Sequence, residues 1–247
     1  MGDATFVIVT GDMTHWGNAD AYEAFAAGIS GLTMPVHLMV GNHDDTGAFA
    51  TAFLDTPRDP NGYVQQRFRA AGHQFLLLDT KIEGTHAGAY CEQRRAWLSE
   101  QLEAADGPVL LFMHHLPFRV GIPAMDTIML QDAEAFFDTV APHRQKIRHL
   151  FFGHCHRAIF GNWRGISYSC MRGLNHQVAL DLTGDPQLIK GDLANPAYGV
   201  VLVDPDQVTV HLHDFADTSP KFNLLALDDS DPAAYQLGMR HEGWVEP

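Results

Sequence analysis

The stretch FVIVTGD, residues 6–12, decides how this chain is read. Apolar and β-branched residues run without a break, the pattern of a strand buried on both faces, and the run ends on Gly11 and Asp12. Three further runs have the same form: VHLMVGNHD at 36–44, VLLFMHH at 109–115 and HLFFGHCH at 149–156. Each ends in residue types that bind metals, namely Asp12, then Asn42 with His43, then His114 with His115, then His154 with His156. In an open α/β sheet, ligands bind outside the carboxyl ends of the strands. Four strands ending in this way therefore imply a metal site along one sheet edge. Carboxylate oxygen, amide oxygen and imidazole nitrogen together suit Zn, Mn or Fe better than Ca or Cu(I).

The spacing refines this reading. Gly11 permits a tight turn, and a short carboxylate at Asp12 can bridge two cations. Asn42 ligates through its amide oxygen without adding charge, although the same residue type is common as a turn residue before a helix. His114 and His115 are adjacent and point to opposite faces of an extended strand, so both do not ligate easily. His154 and His156 share a face at i, i+2 spacing, and Cys155 between them reads as a packed thiol. Asp44 and Asp45 are expected to orient ligands from behind. His15, His37, His73, His86, His143 and His149 are read as structural. His15 is the first candidate exception, because THWG (14–17) follows Asp12 directly.

Composition bounds the class. The 247 residues suit one large domain, or one domain with an extension. Sixteen Lys and Arg against 30 Asp and Glu give a net charge of −14, which argues against binding a nucleic-acid polymer through its phosphates. A small phosphodiester is not excluded, since bound metal supplies local positive charge. Nine of the acids lie after Val203, facing only Lys221 and Arg240, a solvated surface or tail. Cys91, Cys155 and Cys170 form no CxxC pair, so a reduced, cytoplasmic setting is expected. No signal peptide is visible and no apolar run approaches the length of a membrane span.

Strands are expected at 6–10, 36–40, 74–78, 109–113 and 147–152, and helices at 18–30, 46–53, 92–104 and 132–140. After His156 the pattern turns to short strands at 159–163, 166–170 and 178–182, then a hairpin of 200–203 and 208–213 around Pro205-Asp206. The first half alternates β and α and the second half is mostly β. The domain is expected over 1–213, with a C-terminal extension at 214–247 available for an oligomer contact.

The order GD…GNHD…HH…GHCH resembles the calcineurin-like metallophosphoesterases. THWG, MPVHLMVGNHDD (34–45), MHHLPF (113–118), GIPAMD (121–126) and NHQV (175–178) narrow the resemblance to the class III cyclic-nucleotide and glycerophosphodiester phosphodiesterase branch. The resemblance covers roughly residues 5–181 and implies an αββα sandwich, two packed mixed β-sheets flanked by helices. It implies metal-activated hydrolysis of a small phosphodiester, such as 3',5'-cyclic AMP or a glycerophosphodiester. Two divalent or trivalent ions, Fe, Mn or Zn, would be bridged by Asp12. Asn42, His114 and His154 would complete one metal position and His156 would serve the other. His43 is then the outer-sphere histidine facing the phosphate or leaving group, and His176 a substrate contact.

One departure matters. The family has a strand ending Asp-x-His upstream of the Gly-Asp motif, and this chain starts at Met1, almost on the Gly-Asp strand. The first strand is therefore expected to be missing and only one metal position to be well formed. The open alternatives are a truncated or mis-started binuclear enzyme, a short form with one metal, and a non-catalytic phosphate-ligand binding module. A homo-oligomer is also expected from the resemblance.

Overall fold

The computed structural model describes residues 4–220 and Ser230. The chain divides into a unit spanning Met1–Phe215 and a second spanning Ala216–Pro247. The expected extension at 214–247 lies mostly outside the described residues. The elements in order are β1 (Val7–Val9), α1 (Ala19–Ile29), β2 (Val36–Leu38), α2 (Thr46–Ala52), β3 (Gln66–Ala70), β4 (His73–Leu78), α3 (Glu92–Ala104), β5 (Val109–Met113), α4 (Pro123–Thr127) and α5 (Ala133–Val140). Then follow β6 (Ile147–Phe152), β7 (Ile159–Trp163), β8 (Ile166–Cys170), β9 (Gln177–Val178), β10 (Gly191–Asp192), β11 (Ala197–Asp204) and β12 (Gln207–Asp214).

A six-stranded mixed sheet in the order β3-β4-β5-β6-β8-β7 forms the centre. Its middle strands β4, β5, β6 and β8 run parallel. Their continuous apolar runs follow from burial on both faces. Leu76, Leu78, Leu111, Met113, Leu150 and Phe152 pack on one side with Trp97, Leu98 and Leu102 of α3 and Phe136 and Val140 of α5. Phe75, Leu77, Leu110, Phe112 and Phe151 face the other side, where they meet Phe6 and Ile8, Met39, and Val203, Val208 and Val210. A third cluster joins Leu38 and Val40 to Tyr22 of α1 and Phe49 of α2. The layers therefore run helix, sheet, strand pairs, helix.

The second strand layer is divided. It consists of the parallel pair β1–β2 and the antiparallel pair β11–β12, with no ladder between them among the described residues. The strand expected at 178–182 shortens to β9, which pairs with β10, and Leu180 and Leu182 beyond it are exposed. The polar strand β3 (QRFRA) lacks the apolar run that marks its neighbours, so its residues did not signal a strand. The hairpin β11–β12 is longer at both ends than its apolar centre. No helix among the described residues is long and apolar enough to cross a membrane.

Pairing register fixes the functional edge. Met113 of β5 stands opposite Phe152 of β6, so His114 and His154, just past the two carboxyl ends, become neighbours. Val9 of β1 stands opposite Leu38 of β2, which brings Asp12 and Asn42 to the same end of their own pair. His114 links the layers, because its Nδ1–H donates to the carbonyl oxygen of Thr10 at 2.7 Å.

At the other end of β6, His149 is buried on Phe151 and bonded to Ser169 Oγ at 2.7 Å. Burial pushes its pKa down to about 4. The unfolded chain, with an ordinary histidine pKa near 6.5, takes up this proton first. Stability contributed by neutral His149 is thus complete above about pH 6.5 and is lost as pH falls toward about 4. His149→Gln is expected to flatten the acid limb of stability against pH, measured by urea unfolding at pH steps through this window; an unchanged slope would contradict the assignment.

Candidate metal centre

Glycines let the strand ends close on one another. A Cβ on Gly41 would overlap the Asp12 carboxylate and stand 2.6 Å from the Asp12 amide nitrogen and 2.7 Å from His114 Cε1. Gly11, at φ +99°, leaves room for His114, whose Nδ1 would lie 2.6 Å from a Cβ there. Asp12, His154 and His156 all have positive φ, at 56°, 63° and 46°, which non-glycine residues rarely adopt. Such backbone strain persists where surrounding structure holds it and clusters at functional sites.

Four donors converge. Asn42 Oδ1 lies 2.8 Å from His154 Nδ1 and 3.1 Å from His114 Nε2, and His114 Nε2 lies 3.2 Å from Asp12 Oδ2. Because His114 gives its Nδ1 proton to Thr10, Nε2 of the neutral ring is a lone pair facing two oxygens. Acceptors at this range need a proton or a cation between them. For His154 Nδ1 to present its lone pair, the proton sits on Nε2, which is buried with no hydrogen-bond partner. A metal bound at Nδ1 would offset that cost. The donor set fits a Zn, Mn or Fe ion through Asp12, Asn42, His114 and His154.

The surroundings set the donors' orientation. Asn42 Nδ2 donates to His86 Nδ1 at 2.9 Å, which turns Oδ1 toward the histidines. The His86 carbonyl accepts from His115 Nε2 at 3.1 Å, and His115 Nδ1 accepts from Thr80 Oγ1 at 2.8 Å. His115 lies close to His114 and His154, but both of its nitrogens are committed, so it supports rather than ligates. Asp44 accepts from the amides of Asp12 at 2.9 Å and Gly41 at 2.8 Å and from the Tyr22 hydroxyl at 3.0 Å. It orients the site as expected, whereas Asp45 instead caps α2 by accepting from Ala48 N.

Electrostatics keep two of the imidazoles, His154 and His156, ready to bind. Burial, and then the charge of His114, hold His154 neutral well below the usual range, and burial followed by His176 lowers the pKa of His156. Burial opposes charge on His114, but the adjacent Asp12 carboxylate outweighs it and raises the pKa. Burial likewise opposes charge on Asp12, yet His114 and the backbone amide of His43 hold its carboxyl below the ordinary carboxylate range.

The remaining expected residues stand around this cluster. His156 gives its Nδ1 proton to the His176 carbonyl at 3.0 Å, and the two rings lie 4.6 Å apart. His176 itself is exposed and meets His156 through both its carbonyl and its ring. His43 donates Nδ1–H to the His15 carbonyl at 3.0 Å, which leaves Nε2 as its free nitrogen. His43 stacks on His15 at 4.9 Å and sits 5.0 Å from His86. His86 is the residue that sequence reasoning missed. Nothing in its neighbourhood in the chain marks it, since its role rests on a contact with Asn42, 44 residues away.

Comparison with known proteins agrees with this geometry. Residues 2–158 match the model of the calcineurin-like phosphoesterase family. A Rhodopseudomonas palustris protein named a probable cyclic nucleotide phosphodiesterase is 45% identical over 228 residues, 90% of this chain and 82% of that protein. An Arcobacter nitrofigilis protein named a probable glycerophosphodiester phosphodiesterase is 33% identical over 182 residues, 72% of this chain and 66% of the relative. The fold is also that of a dimetal phosphatase from Danio rerio, with a TM-score of 0.65 at 16% identity over 85% of this chain and 81% of the other. Strand-end donors, layered fold and sequence kinship coincide, and the chain belongs to the calcineurin-like phosphoesterase family.

Proposed function

We propose that this chain catalyses metal-dependent hydrolysis of small phosphodiesters, a 3',5'-cyclic nucleotide such as cAMP or a glycerophosphodiester. The observation that carries the reading is the convergence of Asp12, Asn42, His114 and His154 on one point, with the His114 tautomer and the Asn42 amide each fixed from behind. When bound, the metal ions polarise the phosphoryl oxygens and lower the pKa of a water. Asp12, Asn42, His114 and His154 would hold one ion, and Asp12 with His156 would hold the second. His43 presents Nε2 to the substrate; carrying a proton there while Nδ1–H stays on the His15 carbonyl, it would assist departure of the leaving oxygen. His176 is the substrate contact on the far side of His156. Relatives named for cyclic nucleotides and for glycerophosphodiesters support a diester rather than a monoester substrate. Three free cysteines support a reduced, cytoplasmic setting.

A mononuclear form with weak turnover is the second reading. It is favoured by one observation: His156 is held by His176 and stands outside the four converging donors. Metal content per chain, measured with bis(p-nitrophenyl) phosphate hydrolysis after Mn or Zn addition, separates the two. The proposal expects one tightly held metal, a second that Asp12 and His156 hold weakly and that added Mn or Zn fills, and turnover that a chelator abolishes. One metal with weak turnover would favour the mononuclear form, and metal-independent or absent turnover would overturn both.

Substitutions divide the roles. Asn42→Ala is expected to lose bound metal and turnover together. Asp44→Asn is expected to lower metal affinity or activity by roughly 10–100-fold, the usual cost of removing an outer-shell partner. His43→Ala is expected to keep its metal while kcat falls by about 10²–10⁴, the range for a lost general acid. Metal analysis beside kcat and KM checks all three, and loss of metal in His43→Ala would refute its outer-sphere role.

A further inference from the structure

A tryptophan stands in solvent beside the metal centre. Trp16 is 74% exposed, whereas Trp97 in the core is 9% exposed. The Trp16 ring meets that of His15 edge-on at 4.3 Å, and His15 stacks on His43 at 4.9 Å. His43 is the histidine proposed to face the leaving oxygen through Nε2. His86, which orients Asn42, sits 5.0 Å from His43. A file of rings thus leads from the metal donors out to an open indole.

The turn that carries Trp16 is fastened to His43. Buried Thr14 donates Oγ1–H to the His43 carbonyl at 3.3 Å and accepts from the Gly17 amide at 2.9 Å. His43 Nδ1–H in turn goes to the His15 carbonyl at 3.0 Å. Gly17, at φ +70°, lies against Asp45, where a Cβ would fall 2.8 Å from the Asp45 amide nitrogen. These contacts fix the backbone on both sides of Trp16 relative to His43. An aromatic side chain left open on a fixed backbone has the form of a platform on which a base stacks. A quaternary ammonium is instead held by a cage of several aromatic rings.

We infer that Trp16 stacks on the nucleobase of a 3',5'-cyclic nucleotide and selects that substrate over glycerophosphodiesters. The inference rests on the phosphodiesterase reading and chooses between the two substrates it names. His43 stands on the side of the leaving oxygen, so His15 and Trp16 extend from that side. In a cyclic nucleotide the hydroxyl set free stays on the ribose, and the ribose carries the base. The base therefore stays within reach of the indole before and after the ester bond breaks. The alcohol released from glycerophosphoglycerol is aliphatic and has no π face to offer. Every base has such a face, so adenine and guanine are expected to be held alike.

Kinetics of the Mn-loaded chain and of Trp16→Ala and Trp16→Phe on 3',5'-cyclic AMP, glycerophosphoglycerol and glycerophosphocholine test this. Truncating an exposed ring takes nothing from the core, so both variants are expected to fold and to bind metal as the parent does. In Trp16→Ala, kcat/KM for cyclic AMP relative to glycerophosphoglycerol is expected to fall about 5–150-fold, the range of one base–aromatic stack. The loss falls on KM with kcat retained, as removal of ground-state binding requires. Trp16→Phe is expected to keep most of the ratio. Calorimetric titration with adenosine 5'-monophosphate, which needs no turnover, is expected to show the same weakening in Trp16→Ala. An unchanged ratio and AMP affinity would overturn the assignment. So would an equal loss on all three diesters through kcat, the mark of a merely structural role, or a larger loss for glycerophosphocholine than for cyclic AMP. Turnover of any of the three by the parent keeps the phosphodiesterase reading in each of these cases. A parent that binds metal and hydrolyses none of them overturns that reading, and the AMP titration then decides the stack by itself.

Discussion

A single buried carboxylate holds the centre in register. Asp44 accepts hydrogen bonds from the amides of Asp12 and Gly41 and from Tyr22 on α1. It therefore ties the turn after β1 to the turn after β2 and anchors both to the helix packed on them. Removing a carboxylate from water is costly unless it is fully bonded, and three donors meet that requirement. Burial and the nearby Asp12 charge both raise the pKa of Asp44. The same geometry leaves Asp12 free to present its side chain, with Oδ1 taking the amide of His43 and Oδ2 facing His114.

A second line of contacts fixes the neutral donors. Thr80, His115, His86 and Asn42 form a chain in which each donor has one acceptor, so the Asn42 oxygen has a single orientation. Thr10 does the same for His114 from the opposite layer. Ligands whose protons are assigned in this way need little rearrangement to bind a cation, because binding requires the lone pairs that these contacts expose. Strained backbone at Asp12, His154 and His156 belongs to the same design: the side chains are aimed by turns that ordinary strand endings would not allow.

The central sheet supplies the rigidity behind these turns. β4, β5 and β6 are packed on both faces by aromatic and aliphatic side chains, which leaves the carboxyl ends little freedom. The second strand layer is divided into β1–β2 and β11–β12, and both pairs rest on the same sheet face. Asp12 and Asn42 thus come from one layer and His114 and His154 from the other, so the donor cluster exists only because the layers are stacked.

The sequence by itself determined the parts whose signal is local. Uninterrupted apolar runs marked β1, β2, β5 and β6 as buried strands, and the donors directly after them marked Asp12, Asn42, His114 and His154 as one edge. The i, i+2 spacing implied a shared face for His154 and His156 in extended chain, but both residues have positive φ and His156 stands apart from the four donors, while His115 lies close to His114 and His154 instead of on an opposite face. Only the tertiary structure decided what depends on distant partners. It turned Asp45 into a helix cap, gave His86 the orientation of Asn42, tied His156 to the backbone of His176, and split the second layer into two pairs. Local periodicity records burial and direction, while hydrogen bonds between residues tens of positions apart are set by how the layers stack.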